Sequence, residues 1–163
     1  MATQPDSLCF IDAPPVAAEV ARGVTRLFCR QDLFAACEMP LPNGRRADIL
    51  ALLPGGDFAI IEVKSCARDY LSDCKWPDYR EFCDRLYFAV DLDFPQDLLP
   101  ADAGLVVAEG RETALLREAP AHPLAPARRK ALLQRYARVA AGRLAALSDP
   151  EAHAELRAAL RVE

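Results

Sequence analysis

Histidine is nearly missing from this chain: its 163 residues hold two, His122 and His153. Both are remote in sequence from the acidic residues singled out below, which argues against histidine-based acid–base catalysis. No Cys-x-x-Cys pair occurs among the six cysteines, at positions 9, 29, 37, 66, 74 and 83. With so few histidines to partner them, a structural zinc site is not expected. No apolar run reaches the roughly 20 residues that a membrane helix needs. The first fifteen residues, MATQPDSLCFIDAPP, have no basic stretch leading into an apolar one, so no secretory signal is expected. Reduced thiols and a cytoplasmic location, with no membrane partner, follow as expectations. There is also no internal repeat.

What is present is an ordinary globular composition, 52% apolar and 27% charged. The expectation is a loose tail over residues 1–13 and one domain over 14–163, long enough to bury a sizeable core. The net charge of −4 hides an asymmetry, because residues 119–163 are net basic and the rest is strongly acidic. Any contact with nucleic acid must therefore come from local patches.

Residues 45–65, RRADILALLPGGDFAIIEVKS, organise the chain. They read as two apolar strands joined by a turn at Pro54-Gly55-Gly56-Asp57. Asp48 opens the first strand; Glu62 and Lys64 end the second and share one face, because strand side chains alternate. A hairpin sets the start of one strand beside the end of the other, so Asp48 is expected near Glu62 and Lys64. Two carboxylates and a lysine are costly to bury at the end of an apolar sheet without a purpose. Two carboxylates can hold a hard divalent cation, and a lysine beside them can orient a water. That is equipment for metal-assisted phosphodiester hydrolysis.

Around this hairpin, Pro14-Pro15 opens an amphipathic helix whose stripe is Val16, Val20, Val24, Leu27 and Phe28. Residues 33–41 read as a strand with Phe34, Ala36 and Glu38 on one face and Ala35, Cys37 and Met39 on the other. Asp48, Leu50 and Leu52 are expected on one face of the next strand. In residues 65–87 a short turn is expected over 71–75 and a helix from Pro77 to about Asp84. Strands follow at 85–91, 104–108 and 113–117, then a long helix at 127–147 and a final helix capped by Ser148 or Asp149. The fold class is α/β, an α+β mixed sheet with helices on both faces.

The acid, the gap of thirteen residues, and then Glu62-Val63-Lys64 resemble the core motif of PD-(D/E)XK nucleases. Ala47 stands where the proline of that name would be. The order helix, three strands, helix, strand is similar to the αβββαβ core of restriction endonucleases and junction resolvases. More specifically, the chain resembles the MmcB-like DNA repair family. The stretches that carry this are GRRADILAL (44–52), IIEVKS (60–65), DCKWPDYREFCDRLYFAV (73–90), FPQDLLP (94–100), GLVVA (104–108) and REAPAHPLAPARRKAL (117–132). The resemblance implies a nuclease-like fold and a role in handling damaged DNA, with DNA and other repair proteins as partners. It does not imply cleavage, since nuclease-fold proteins can lose catalysis. Nucleases that cut both strands commonly pair, so a homodimer stands among the expectations.

In the nuclease reading, Asp48 and Glu62 ligate Mg²⁺ or Mn²⁺ and the Val63 carbonyl adds a backbone ligand. Lys64 orients water or neutralises phosphate, and Glu38 assists through water. The competing reading is a buried ion network without a metal, and for Glu38 an edge charge paired with Arg45 or Arg46. Arg45, Arg46, Lys75, Trp76 and Tyr79 are candidates for nucleic-acid contact. For Trp76 and Tyr79 the alternative is packing of their helix on the sheet. The basic residues of the long helix, Arg128, Arg135 and Arg138 on one face, read either as a phosphate-tracking surface or as a solvated face. A nuclease-fold adaptor without catalysis, and an interaction protein unrelated to nucleic acid, complete the options.

Overall fold

The computed structural model describes residues 15–31, 33–73, 75–109, 112–149 and 151. Helix α1 (Pro15–Arg30) precedes strands β1 (Phe34–Pro40), β2 (Arg46–Leu52) and β3 (Phe58–Val63). Helix α2 (Ala67–Ser72) and a 3-10 helix (Trp76–Phe82) lead to β4 (Arg85–Asp91). Then come β5 (Gly104–Glu109), β6 (Glu112–Arg117) and helix α3 (Pro126–Ser148). All six strands form one sheet in chain order. β1, β2 and β3 form an antiparallel meander. β3, β4 and β5 run parallel, and β6 returns antiparallel to β5.

β3 is buried at every position, which is why its sequence is apolar on both sides. Ala59, Ile61 and Val63 join a core with Val20, Ala21, Val24 and Phe28 of α1. Phe58 and Ile60 face the opposite layer, with Tyr79 and Phe82 of the 3-10 helix and Leu132 of α3. Helices thus cover both faces, as expected. Among the described residues, no helix is long and apolar enough to cross a membrane.

The connection from β3 to β4 departs from expectation. The turn expected over 71–75 is preceded by a helix, α2, and the helix expected from Pro77 is a 3-10 helix starting at Trp76. α2 buries no residue, so it carries no apolar period to read. The expected N-terminal tail lies outside the described residues, as does the final helix beyond Asp149 apart from Glu151.

α3 covers the exposed edge of β1. Tyr136 Oη donates to the Phe34 carbonyl at 2.9 Å, and Arg135 Nη1 to that of Pro40 at 3.2 Å. Arg143 donates to the carbonyls of Cys37 and Glu38. Arg128 and Arg129 are also engaged, with Glu81 and with Asp57 and Asp84. The basic stripe is therefore largely spent on a strand edge and on neighbouring acids, of which Asp84 is buried. Arg138 and Lys130 remain exposed.

β4 and β5 approach closely at Gly104, which pairs with Tyr87. A Cβ built there would lie 2.1 Å from Tyr87 Cδ1. The Tyr87 ring is buried and its hydroxyl donates to Glu118 Oε2 at 2.9 Å, so it cannot easily yield. Gly104→Ala is expected to lower stability by about 1–3 kcal/mol through overpacking, read by urea unfolding. An unchanged midpoint would show that the ring moves freely.

Candidate metal centre in the cleft

The β2–β3 ladder runs from Leu52↔Phe58 to Ile49↔Ile61. Beyond that pair, side chains take over the pairing. Val63 N donates to Asp48 Oδ2 at 2.8 Å, and Asp48 N to Glu62 Oε1 at 3.4 Å. Each strand's backbone is thus held by the other strand's carboxylate, and the two acids are drawn together where the strands part. Lys64 follows at once, its backbone N–H bonded to the Ala89 carbonyl of β4. Its ammonium lies 3.9 Å from Glu62 Oε2 and 2.5 Å from Asp73 Oδ2. Glu62 is 2% exposed and Lys64 4%. These groups form the floor of a cleft of about 700 Å³, walled by β1, β2 and α2.

Burial pushes the Asp48 carboxyl up to about 6, opposed by the Val63 N–H and Lys64 and reinforced by Glu38 and Asp69. Burial, then the Asp48 charge, holds Glu62 well above the usual carboxylate range. Burial disfavours the Lys64 charge, yet its bond to Asp73 and the nearby Glu62 keep it above the ordinary lysine value. Asp73, despite burial, is held low by its bond to Lys64. The floor thus sets three carboxyl groups against one lysine.

The raised Asp48 value has a consequence for stability. Folded Asp48 holds its proton more tightly than the unfolded chain does. Its contribution is present at low pH and is lost as pH rises from about 4 towards 6, each tenfold difference in proton affinity being worth about 1.4 kcal/mol. Metal-free protein should therefore be less stable at pH 7 than at pH 5, by about 1 kcal/mol from this carboxyl. Urea unfolding across that range tests this, and Asp48→Asn should flatten the profile; a wild-type curve that rises with pH would contradict it.

The other expected site residues divide. Glu38 lines the cleft and pairs with Arg46, the partner expected for an edge charge. Val63, Arg46, Lys75 and Tyr79 line the cleft as well. Tyr79 is buried, and its hydroxyl donates to the Arg46 carbonyl at 3.2 Å. Arg45 is turned to Asp78, at 2.8 Å from Nε and 2.5 Å from Nη2, and does not line the cleft. Trp76 is also outside the lining: it meets Phe88 edge-on at 5.5 Å and carries the Arg80 guanidinium over its ring. The half-buried ring packs its helix against the sheet.

Three cleft residues had no role assigned from sequence. Asp73 grips Lys64, and Asp69 accepts from Ser65 N at 3.0 Å. Arg68 is exposed on the wall. All three belong to the α2 segment, whose lack of a buried stripe hid its course over the strand end. Cys66 lines the cleft too. The described cysteines, Cys29, Cys37, Cys66 and Cys83, form no disulfide.

Whether these residues suit a divalent cation can be judged from their chemistry. The donors are carboxylates and a strand-end carbonyl, all hard oxygen, with no histidine or thiolate required. Among the described residues no three His, Cys, Asp or Glu side chains form a ready-made cage. Mg²⁺ does not need one, since it keeps several waters and takes one or two carboxylates. Two buried acids repelling one another are a fit for that charge.

A solved protein of unknown function from Silicibacter pomeroyi shares 43% identity with this chain and superposes with a TM-score of 0.79. The match covers 85% of this chain and 95% of that one. No curated protein matches the chain. The family model for DNA repair protein MmcB-like matches residues 6–151 and carries a role in DNA repair. This chain belongs to the MmcB-like family.

Proposed function

We propose that this protein is a metal-dependent DNA nuclease that hydrolyses phosphodiester bonds in damaged or structured DNA. The observation that carries this reading is the pair Asp48 and Glu62, locked across the β2–β3 opening with Lys64 beside them. Asp48 and Glu62 would hold Mg²⁺ or Mn²⁺, with the Val63 carbonyl as a further ligand. A bound cation of this kind neutralises charge on the phosphate and acidifies a water.

The chain's own residues would do the rest. Lys64, kept charged by Asp73, steadies the attacking water or a non-bridging phosphate oxygen. Water adds to phosphorus, one P–O bond breaks, and the leaving oxygen takes up a proton. Arg46, Arg68 and Lys75 on the cleft walls meet the flanking phosphates. Nothing in the lining offers an exposed aromatic face, so recognition is expected to run through the backbone rather than the bases.

The test is direct. Purified protein is offered branched, nicked and single-stranded DNA with Mg²⁺ or Mn²⁺ and with chelator. Cleavage that needs the metal supports the reading. Metal-independent DNA binding without any cleavage would favour a non-catalytic adaptor instead. Failure to bind DNA at any salt concentration would remove both readings.

A further inference from the structure

Glu38 is the one non-glycine residue with positive φ among the described residues, at 51°. Left-handed backbone is disfavoured for any residue with a Cβ and persists where the surroundings over-determine it. The consequence is visible in the core. Ala35 and Cys37 pack on the α1 side, yet Met39, two residues on, packs in the α3 layer. β2 does the same, with Ile49 on the α1 side and Ala47 opposite. The ladder pairs Cys37 with Ile49 and Met39 with Ala47, so Glu38 and Asp48 face one another where both strands turn over.

What enforces this turn comes from α3. Arg143 Nη1 donates to the Cys37 carbonyl at 2.5 Å and Nη2 to the Glu38 carbonyl at 2.8 Å. Those two carbonyls belong to the peptide groups on either side of Glu38. A planar guanidinium with a rigid fork that grips both fixes the dihedrals between them. An ammonium, as a point charge, would not define both directions.

We infer that Arg143 is a positioning residue for the cleft: by clamping the peptides that flank Glu38, it holds that residue left-handed with its carboxylate beside Asp48. The inference rests on the reading of the cleft as a cation site, to which Glu38 would contribute through an intervening water. It links α3, which lines no part of the cleft, to the affinity of the site.

Mn²⁺ binding by titration calorimetry tests this on wild type, Glu38→Gln, Arg143→Ala, Arg143→Lys and the Glu38→Gln/Arg143→Ala double variant. Glu38→Gln and Arg143→Ala should each weaken binding by about tenfold, the lower end of the range for groups that orient ligands. The double variant should be no weaker than Glu38→Gln alone, because both changes remove one contribution. Arg143→Lys should fall between wild type and Arg143→Ala. Multiplied losses in the double variant, or wild-type affinity in Arg143→Ala, would overturn the inference while leaving the cation site intact. A wild type that binds no Mn²⁺ overturns the cation site, and this inference with it. Should Arg143→Ala fail to fold, Glu38→Gly decides: it should raise the melting temperature by relieving the left-handed strain and still weaken Mn²⁺, and a lowered melting temperature would overturn the clamp.

Discussion

Replacing Glu62 by glutamine is expected to abolish metal-dependent DNA cleavage, with a loss on the order of 10³-fold or more, which is about 4 kcal/mol of barrier. The amide keeps the shape of the side chain and can still accept from Asp48 N, so the β2–β3 opening stays intact. What it removes is a charged oxygen donor from the cation site. The same change should stabilise the metal-free fold at pH 7. Glu62 is 2% exposed and sits beside a second carboxylate that disfavours its charge. A neutral amide removes that repulsion, for an expected gain of about 1 kcal/mol. Opposite signs in activity and stability are the mark of a site held at the expense of the fold. Rates measured on a DNA substrate with Mg²⁺, beside urea unfolding of the same samples, give both readings. Undiminished cleavage would remove Glu62 from the chemistry, and a destabilised variant would mean that the carboxylate is structural.

The second large effect concerns stability alone. Asp84 is 2% exposed and accepts four hydrogen bonds. Two come from the backbones of Phe58 and Leu124 and two from the Arg129 guanidinium. One carboxylate therefore ties the start of β3, the segment before α3, and α3 itself. Burial works against its charge, but the bonds from Arg129, Phe58 and Leu124 hold its pKa below the ordinary value. Asp84→Ala leaves two buried N–H groups without acceptors and strands part of a guanidinium. The expected cost is about 3–5 kcal/mol. The pH dependence has the opposite sign to that of Asp48. Because the folded value is depressed, the Asp84 contribution is complete above the unfolded carboxyl value of about 3.9 and is lost as pH falls below it. Urea unfolding at pH 7 and at pH 3 should show a large difference between wild type and variant at the first and a smaller one at the second. A cost under about 1 kcal/mol at pH 7 would show that water replaces the carboxylate.

The relation between these two acids explains part of what was legible. Asp84 sits in a run of polar residues, RDYLSDCKWPDYREFCDR, that reads like surface, and nothing local marks it as buried. Its partners are 26, 40 and 45 residues away in the chain. Asp48, Glu62 and Lys64 were legible because the hairpin that unites them is local: a turn of fixed length sets the register, and the acids interrupt strands that are otherwise apolar. Asp73 was not, because α2 buries nothing and leaves no periodic trace. Arg135 read as part of a charged helix face, and only the packing of α3 along the β1 edge turned it and Arg143 into donors for carbonyls.

By itself, then, the sequence determined the mixed sheet, the apolar strands with helices on both faces, and the meeting of Asp48 with Glu62 and Lys64. These follow from periodicity of two or near 3.6 and from short connections, which are properties of neighbouring residues. Strict alternation also predicted that Met39 would face with Cys37, and here it failed. The left-handed backbone at Glu38 reverses the strand, and no residue near it in sequence calls for that; the clamp comes from Arg143, more than a hundred positions away. Which charges face the cleft, which are spent inside, and how Lys64 is held were decided only when distant segments packed, because burial and pairing of charge depend on neighbours in space.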